Sequence, residues 1–313
     1  MVLDIVYILL GLLLLVKGGD YLVDGSVAIA QRARLSRMVI GLTVVGFGTS
    51  MPELLVSLQS ALMGNSGIAI GNVVGSNIAN IALILGVTAL VHTIPTQRIT
   101  LRLDLPFMLL ASVLFIAVAM TGTIGRIAGI VGFLMLVAFV AYQVHNSRKA
   151  SNASDEEDEQ AEPMALWKAI LMIIVAFAAM VFGANRLVEG ASDIARQLGV
   201  TDRVIGLTIV AVGTSLPELF ASVMAAIKGE TDMAIGNIIG SVTFNLLCVI
   251  GLSAAISPIH GSDIGFAFDY ALMFGLGILL WLFLRTSYKM VRWEGAALTA
   301  IYVAYIVKLI VLG

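Results

Sequence analysis

Charged residues are scarce in this chain: Asp, Glu, Lys and Arg make up only 12% of 313 residues, with a formal net charge of −2. No basic patch interleaved with aromatics occurs, which excludes a nucleic-acid partner. Cysteine is almost absent. The single Cys248 rules out an intrachain disulfide and a thiolate metal cluster, and its apolar setting, LLCVIG, assigns it to core packing. Only three histidines are present, His92, His145 and His260, all at the ends of apolar segments, where interfacial placement is expected. No H-E-x-x-H, Ser/His or Cys/His arrangement points to an enzyme. The first residues, MVLDIVYILLGLLLLVKGGD, lack a basic leader and a small-residue cleavage site, so a retained first helix is expected.

What the chain has in abundance is hydrocarbon. It is 59% hydrophobic, with a mean hydropathy of +1.02, far above a soluble domain. Apolar stretches of about 20 residues recur, each long enough to cross a bilayer core as a helix, and the short alternating segments of a β-barrel are missing. The reading is an all-α polytopic membrane protein with ten spans, near 3–30, 37–63, 68–92, 104–122, 126–146, 165–195, 203–227, 232–257, 267–284 and 293–312. Between the fifth and sixth lies HNSRKASNASDEEDEQAEP. Its acidic run lacks the glycine-punctuated spacing of a calcium loop and reads as a solvated tether. With the N-terminus outside, twelve basic residues collect in inner loops and three in outer ones, placing this linker in the cytoplasm and the protein in a cell (inner) membrane.

The chain also repeats itself. At a constant offset of 165, residues 39–91 align with 204–256 without a gap, with 24 identities over 53 positions. Gly18, Leu22, Val23 and Gly25 meet Gly183, Leu187, Val188 and Gly190 at the same offset. The unit is therefore five helices, giving a first repeat at 1–146, the linker at 147–164 and a second repeat at 165–313. Because five is odd, the second unit enters the membrane from the opposite side: the repeats are inverted, as in many transporters.

Each repeat places polar residues inside an otherwise apolar span: GTSMPE at Gly48 to Glu53 and GTSLPE at Gly213 to Glu218. Pro52 and Pro217 have no backbone N–H and clash with the preceding turn, so each helix should break just before them and free carbonyls as ligands. In helical register Glu53 shares a face with Thr49 and Ser50, and Glu218 with Thr214 and Ser215. These hard oxygen donors suit calcium or sodium, and no thiolate or imidazole favours zinc or copper. The third and eighth spans add Ser76 with Asn80, and Ser241 with Asn245, each four apart. Gly71, Gly75, Gly236 and Gly240 follow small-xxx-small spacing and are expected at close helix contacts. Lys17 and Arg186 are the candidate counter-ions should the glutamates form structural ion pairs; otherwise an intramembrane carboxylate marks a functional site.

The paired GTSMPE and GTSLPE, each followed by GNxxGSxxxN, resemble the two alpha repeats of the calcium/cation antiporter superfamily, on its sodium/calcium exchanger side. The resemblance spans nearly all ten helices. It implies a secondary antiporter exchanging sodium for calcium by alternating access, electrogenic, with no cofactor, no nucleic acid and no obligatory protein partner besides the bilayer. It implies four cation sites at the repeat interface. Glu53 and Glu218 would bridge calcium and sodium, Thr49 and Thr214 would offer carbonyls, and Ser50, Ser76, Ser215 and Ser241 would hold sodium with the carbonyls of Gly46 and Ala211. Asn80 and Asn245 would sit at the centre. The glycine-rich first and sixth helices would slide against this core. Relatives that exchange calcium for protons typically carry a GNATE-like sequence where this chain has GTSMPE; calcium/proton exchange stands as the alternative, and a cation channel as a remoter one. Some relatives, potassium-dependent exchangers among them, have Asp where this chain has Asn245, so potassium dependence is not expected. The symmetry is relaxed at one position, where Asn77 faces Val242 in the alignment.

Overall fold

The apolar runs form long helices because in hydrocarbon every backbone N–H and C=O must be satisfied within its own segment. The computed structural model describes residues 1–153, 164–200, 205, 209, 211–260 and 266–312. In the first half, α1 is Val2–Ala33, α2 Arg37–Thr49, α3 Met51–Leu62, α4 Ser66–Val91, α5 Thr100–Ala119 and α6 Arg126–Ala153. In the second, α7 is Leu166–Gln197, α8 Ala211–Gly213, α9 Leu216–Ile227, α10 Thr231–Ile256, α11 Ala267–Ser287 and α12 Arg292–Leu312. Eight of these are long and apolar enough to span a membrane, and the bent pair α2 and α3 makes a ninth. Of the expected span at 203–227 the described residues include α8 and α9; residues 201–204, 206–208 and 210 lie outside them. Two inverted five-helix repeats account for this order.

One boundary differs from expectation. Helix α6 continues through residues 147–153, into the stretch read as linker, because Arg, Lys, Ala and Ser there tolerate helix and extend it beyond the apolar segment. The acidic run that follows, 154–163, lies outside the described residues.

Two short antiparallel sheets tie the halves together. Strand β1 (Ile94–Pro95) pairs with β4 (Lys289–Met290), and β2 (Thr123–Ile124) with β3 (Ile259–His260). Adding 165 to Ile94 gives Ile259, and adding it to Ile124 gives Lys289, so each sheet is the symmetry mate of the other. Helices α4 and α10 are the most enclosed elements, and the main apolar core is built around them.

Close backbone approach occurs at several crossings, among them α1 with α7 and α2 with α10. Along α1 and α7, a methyl group at Gly11 would sit 2.5 Å from the Gly183 carbonyl oxygen, and one at Gly25 would sit 3.1 Å from that of Ala169. Between α2 and α10, a methyl group at Gly41 would lie 2.9 Å from Met233 Cα, and Gly236 and Gly240 meet the backbone of Met38 and Leu42. Small residues at such crossings let helices pack in lipid without a hydrophobic driving force. At Gly71 a methyl group would lie 3.6 Å from the Phe266 ring and at Gly75 none of the described residues comes within 4 Å, so the close contact expected of these two is not seen among the described residues.

Candidate cation site

The break expected before Pro52 is present: α2 and α3 meet at Ser50, where φ is −81° and ψ is 4°, and their axes bend by 46°. Proline takes the second position of α3, where its missing N–H is not needed. In the second half α8 and α9 are separated at Thr214 and Ser215, with Ser215 in nearly the same conformation (φ −94°, ψ 6°) and Pro217 at the same place. Glu53 and Glu218 consequently fall in the first turn of α3 and α9, where the helix dipole favours a negative charge.

Both glutamates are fully buried. Glu53 Oε1 accepts a 3.4 Å hydrogen bond from Ser76, while Glu53 Oε2 and both carboxyl oxygens of Glu218 have no hydrogen-bond partner among the described residues. Glu53 lies within electrostatic reach of Ser215, and Glu218 within reach of Thr49 and of Glu53 itself. The two repeats therefore present their carboxyls to one shared space. Among the described residues no ion pair neutralises them. Arg186 pairs with Glu189 at 2.7 Å and lies over the rings of Tyr7 and Phe182, and Lys17 is exposed.

Several of the other expected residues make contacts across or near the repeat boundary. Thr49 Oγ1 donates to Asn237 Oδ1 (3.3 Å) and lies 3.4 Å from Ser241 Oγ across the repeat boundary. A methyl group at Gly46 would be 3.1 Å from Ser241 N, so the α2 backbone lies directly on α10. Ser50, Ser215 and Asn80 are buried with side-chain polar atoms that have no partner among the described residues, and so is Asn245 Oδ1. Thr214 is half-buried in its turn, and Ala211 opens α8. Asn80 and Asn245 both fall in π-helical turns, Ala79–Ile84 and Asn245–Val249, a wider winding often found at functional sites.

Sequence reasoning missed the braces behind the site. Asn72 Nδ2 donates to Ser57 Oγ (2.8 Å) and to the Glu53 carbonyl (3.1 Å). Asn237 Nδ2 does the same to Ser222 Oγ (2.9 Å) and the Glu218 carbonyl (3.4 Å). The signal was in the alignment: at the 165 offset Ser57 matches Ser222 and Asn72 matches Asn237. Conventional metal chemistry is not offered, since no group of three or more His, Cys, Asp or Glu side chains forms among the described residues. Two carboxyls, hydroxyls and amides remain, a set for hard cations.

Broken helices in inverted repeats, bringing buried carboxyls that no basic side chain among the described residues answers, define a membrane antiporter of cations. Comparison with known proteins carries this further. The family model for "Sodium/calcium exchanger protein" matches residues 3–147 and 168–311. The sodium/calcium exchanger MaX1 of Methanosarcina acetivorans is 40% identical, over 96% of this chain and 97% of its own. The inner membrane protein YrbG of Escherichia coli is 35% identical, over 99% and 97%. Among solved structures, the sodium-calcium exchanger NCX_Mj soaked with 10 mM Na+ and 10 mM Sr2+ superposes with a TM-score of 0.84 at 32% identity, covering 98% of both chains. The chain belongs to the sodium/calcium exchanger family.

Proposed function

We propose that this exchanger moves calcium out against an inward flow of sodium, by alternating access to one cage shared between its two repeats. The observation that carries the reading is the pair of buried glutamates, Glu53 and Glu218, one from each repeat, with no basic partner among the described residues and with buried Ser50, Ser215, Asn80 and Asn245 oxygens likewise unpartnered there. Burying such charge without compensation is expensive, and a bound cation supplies the compensation. Relatives support the choice of ions: MaX1 is named for sodium and calcium, and NCX_Mj was studied with sodium and strontium.

In this reading Glu53 and Glu218 bridge calcium and sodium. Ser50, Ser76, Ser215 and Ser241 hold sodium, Thr49, Thr214, Gly46 and Ala211 contribute carbonyls, and Asn80 and Asn245 lie at the centre. Residues 1–146 and 165–313 act as the two halves, with the N-terminus outside and 147–164 in the cytoplasm. Two ionised carboxylates carry about −2; one calcium balances them and three sodium ions leave about +1, so exchange is electrogenic.

Proteoliposomes holding the purified protein test this directly. Labelled calcium should accumulate only when sodium is directed outward, and Glu53→Gln or Glu218→Gln should abolish the uptake. Uptake driven by a pH gradient without sodium would establish calcium/proton exchange instead, and flux without any counter-ion a channel. Unchanged uptake in either glutamine variant would sink the site.

A further inference from the structure

The two central asparagines are not equivalent, although the repeat alignment pairs them. Asn245 Nδ2 donates a 3.0 Å hydrogen bond to Asn77 Oδ1, and Asn77 Nδ2 in turn faces Met273 Sδ at 3.6 Å. Asn245 and Asn77 are fully buried and Met273 is nearly so. On the other side of the pseudo-two-fold axis the relay is broken. Val242 occupies the position of Asn77 and Met108 that of Met273, and neither Nδ2 nor Oδ1 of Asn80 has a partner among the described residues.

The thioether decides the direction of the relay. A sulfur of this kind accepts weakly and donates nothing. Asn77 can therefore turn only its NH2 toward Met273, because the reversed amide would set two acceptors face to face. That choice points Asn77 Oδ1 at Asn245, which must answer with its own NH2. Asn245 Oδ1 is then turned away from the relay and is the atom left unpartnered in the buried site. An amide shows a cation either a carbonyl oxygen or a repelling NH2, so fixing its rotation fixes whether it is a ligand at all.

We infer that Asn77 is a positioning residue, which with Met273 locks the Asn245 carbonyl toward the bound cation while Asn80 is left free to turn. The inference rests on the proposed reading that Asn245 faces the transported ions. Charge–dipole energy scales with ionic charge, so a misdirected amide penalises a divalent ion about twice as much as a monovalent one at the same place. Asn77 should therefore set the preference for calcium over sodium more than it sets overall affinity.

Equilibrium binding of labelled calcium and labelled sodium to the purified full chain in detergent provides the test. Asn77→Val, which copies the second repeat, should weaken calcium about fivefold, the worth of one buried hydrogen bond, and sodium about twofold. Met273→Leu, which keeps the packing and removes the acceptor, should shift the ratio in the same direction. A carboxylate has no wrong face. In an Asn245→Asp background, where the added charge keeps cation binding measurable, both substitutions should therefore lose their effect on the ratio. An unchanged calcium-to-sodium ratio in Asn77→Val, or an effect that persists beside Asn245→Asp, would overturn the inference and leave Asn77 as packing. Glu53→Gln measured in parallel separates the two levels: calcium binding that survives it refutes the site, whatever Asn77 does.

Discussion

Replacing Asn237 by leucine is expected to harm the exchanger more than the same change at Asn72, although the two occupy one position of the repeat. Asn72 makes two hydrogen bonds, both within its own half. Asn237 makes the equivalent two and accepts a third, from Thr49 Oγ1 of the other half. Side-chain hydrogen bonds in membrane proteins contribute about 0.6 kcal/mol each on average. Asn72→Leu should then cost about 1 kcal/mol and Asn237→Leu about 2 kcal/mol. The difference is the cross-repeat bond, about threefold in an equilibrium constant. Because Thr49 Oγ1 also lies against Ser241, that share should appear as weaker calcium binding by the purified protein rather than only as a lower melting temperature. A double-mutant cycle isolates it: Thr49→Val with Asn237→Leu should show a coupling of about 0.6 kcal/mol. Additive effects in that cycle, or an Asn72→Leu variant as impaired as Asn237→Leu, would refute the claim that this amide joins the two halves of the site.

A second expectation concerns pH. Lys228, in the turn after α9, donates to Asp20 Oδ1 at 2.5 Å and Asp24 Oδ1 at 2.6 Å, both on α1. Partial burial pulls the ammonium down, but its hydrogen bonds to Asp20 and Asp24 outweigh this and leave its pKa above the ordinary 10.5. A raised pKa stabilises the folded contact below 10.5 and withdraws that support as pH climbs through the folded value. Spin labels on α1 and the α9–α10 turn should therefore report a constant distance at neutral pH and a longer one above 10.5, and Lys228→Met should show the longer distance throughout; a transition near neutrality would contradict this. A third expectation concerns motion. A methyl group at Gly19 would lie 3.0 Å from Met224 Cγ, so Gly19→Cys with Met224→Cys should form a disulfide that stops exchange until it is reduced. Full exchange by the oxidised pair would show that α1 does not move against α9.

The breaks before Pro52 and Pro217 were legible because a missing N–H acts locally, on the same helix that the sequence spells out. The inverted repeat was legible because identity at a fixed offset needs no geometry. What spacing along one helix cannot reveal is which neighbour that helix meets. Asn72 and Asn237 looked like further polar residues in GNxxG, yet their partners are Ser57 and Ser222, fifteen positions away on another helix. Arg186 is three residues from Glu189, and this nearby carboxylate, with two aromatic rings, engages it and leaves the cage glutamates unanswered. The π turns at Asn80 and Asn245 leave no mark on composition, since apolar residues flank them as they flank any helix. Nor could the alignment say that exchanging Asn77 for Val242 would leave one amide anchored and its twin loose.

The backbone contact between α1 and α7 carries a last consequence. A membrane that stores an ion gradient is drained by any protein open to both sides at once, and most gates guard against this with two doors that must be kept in step. Here the two long helices, one from each half, lie spine to spine, with no side chain between Gly11 and Gly183 to act as a slipping layer. In the proposed reading, helices joined this tightly travel together, so the displacement that uncovers one mouth would be the same displacement that covers the other. The interlock is then a matter of rigidity rather than of timing, and short-circuiting the gradient would require prising two backbones apart.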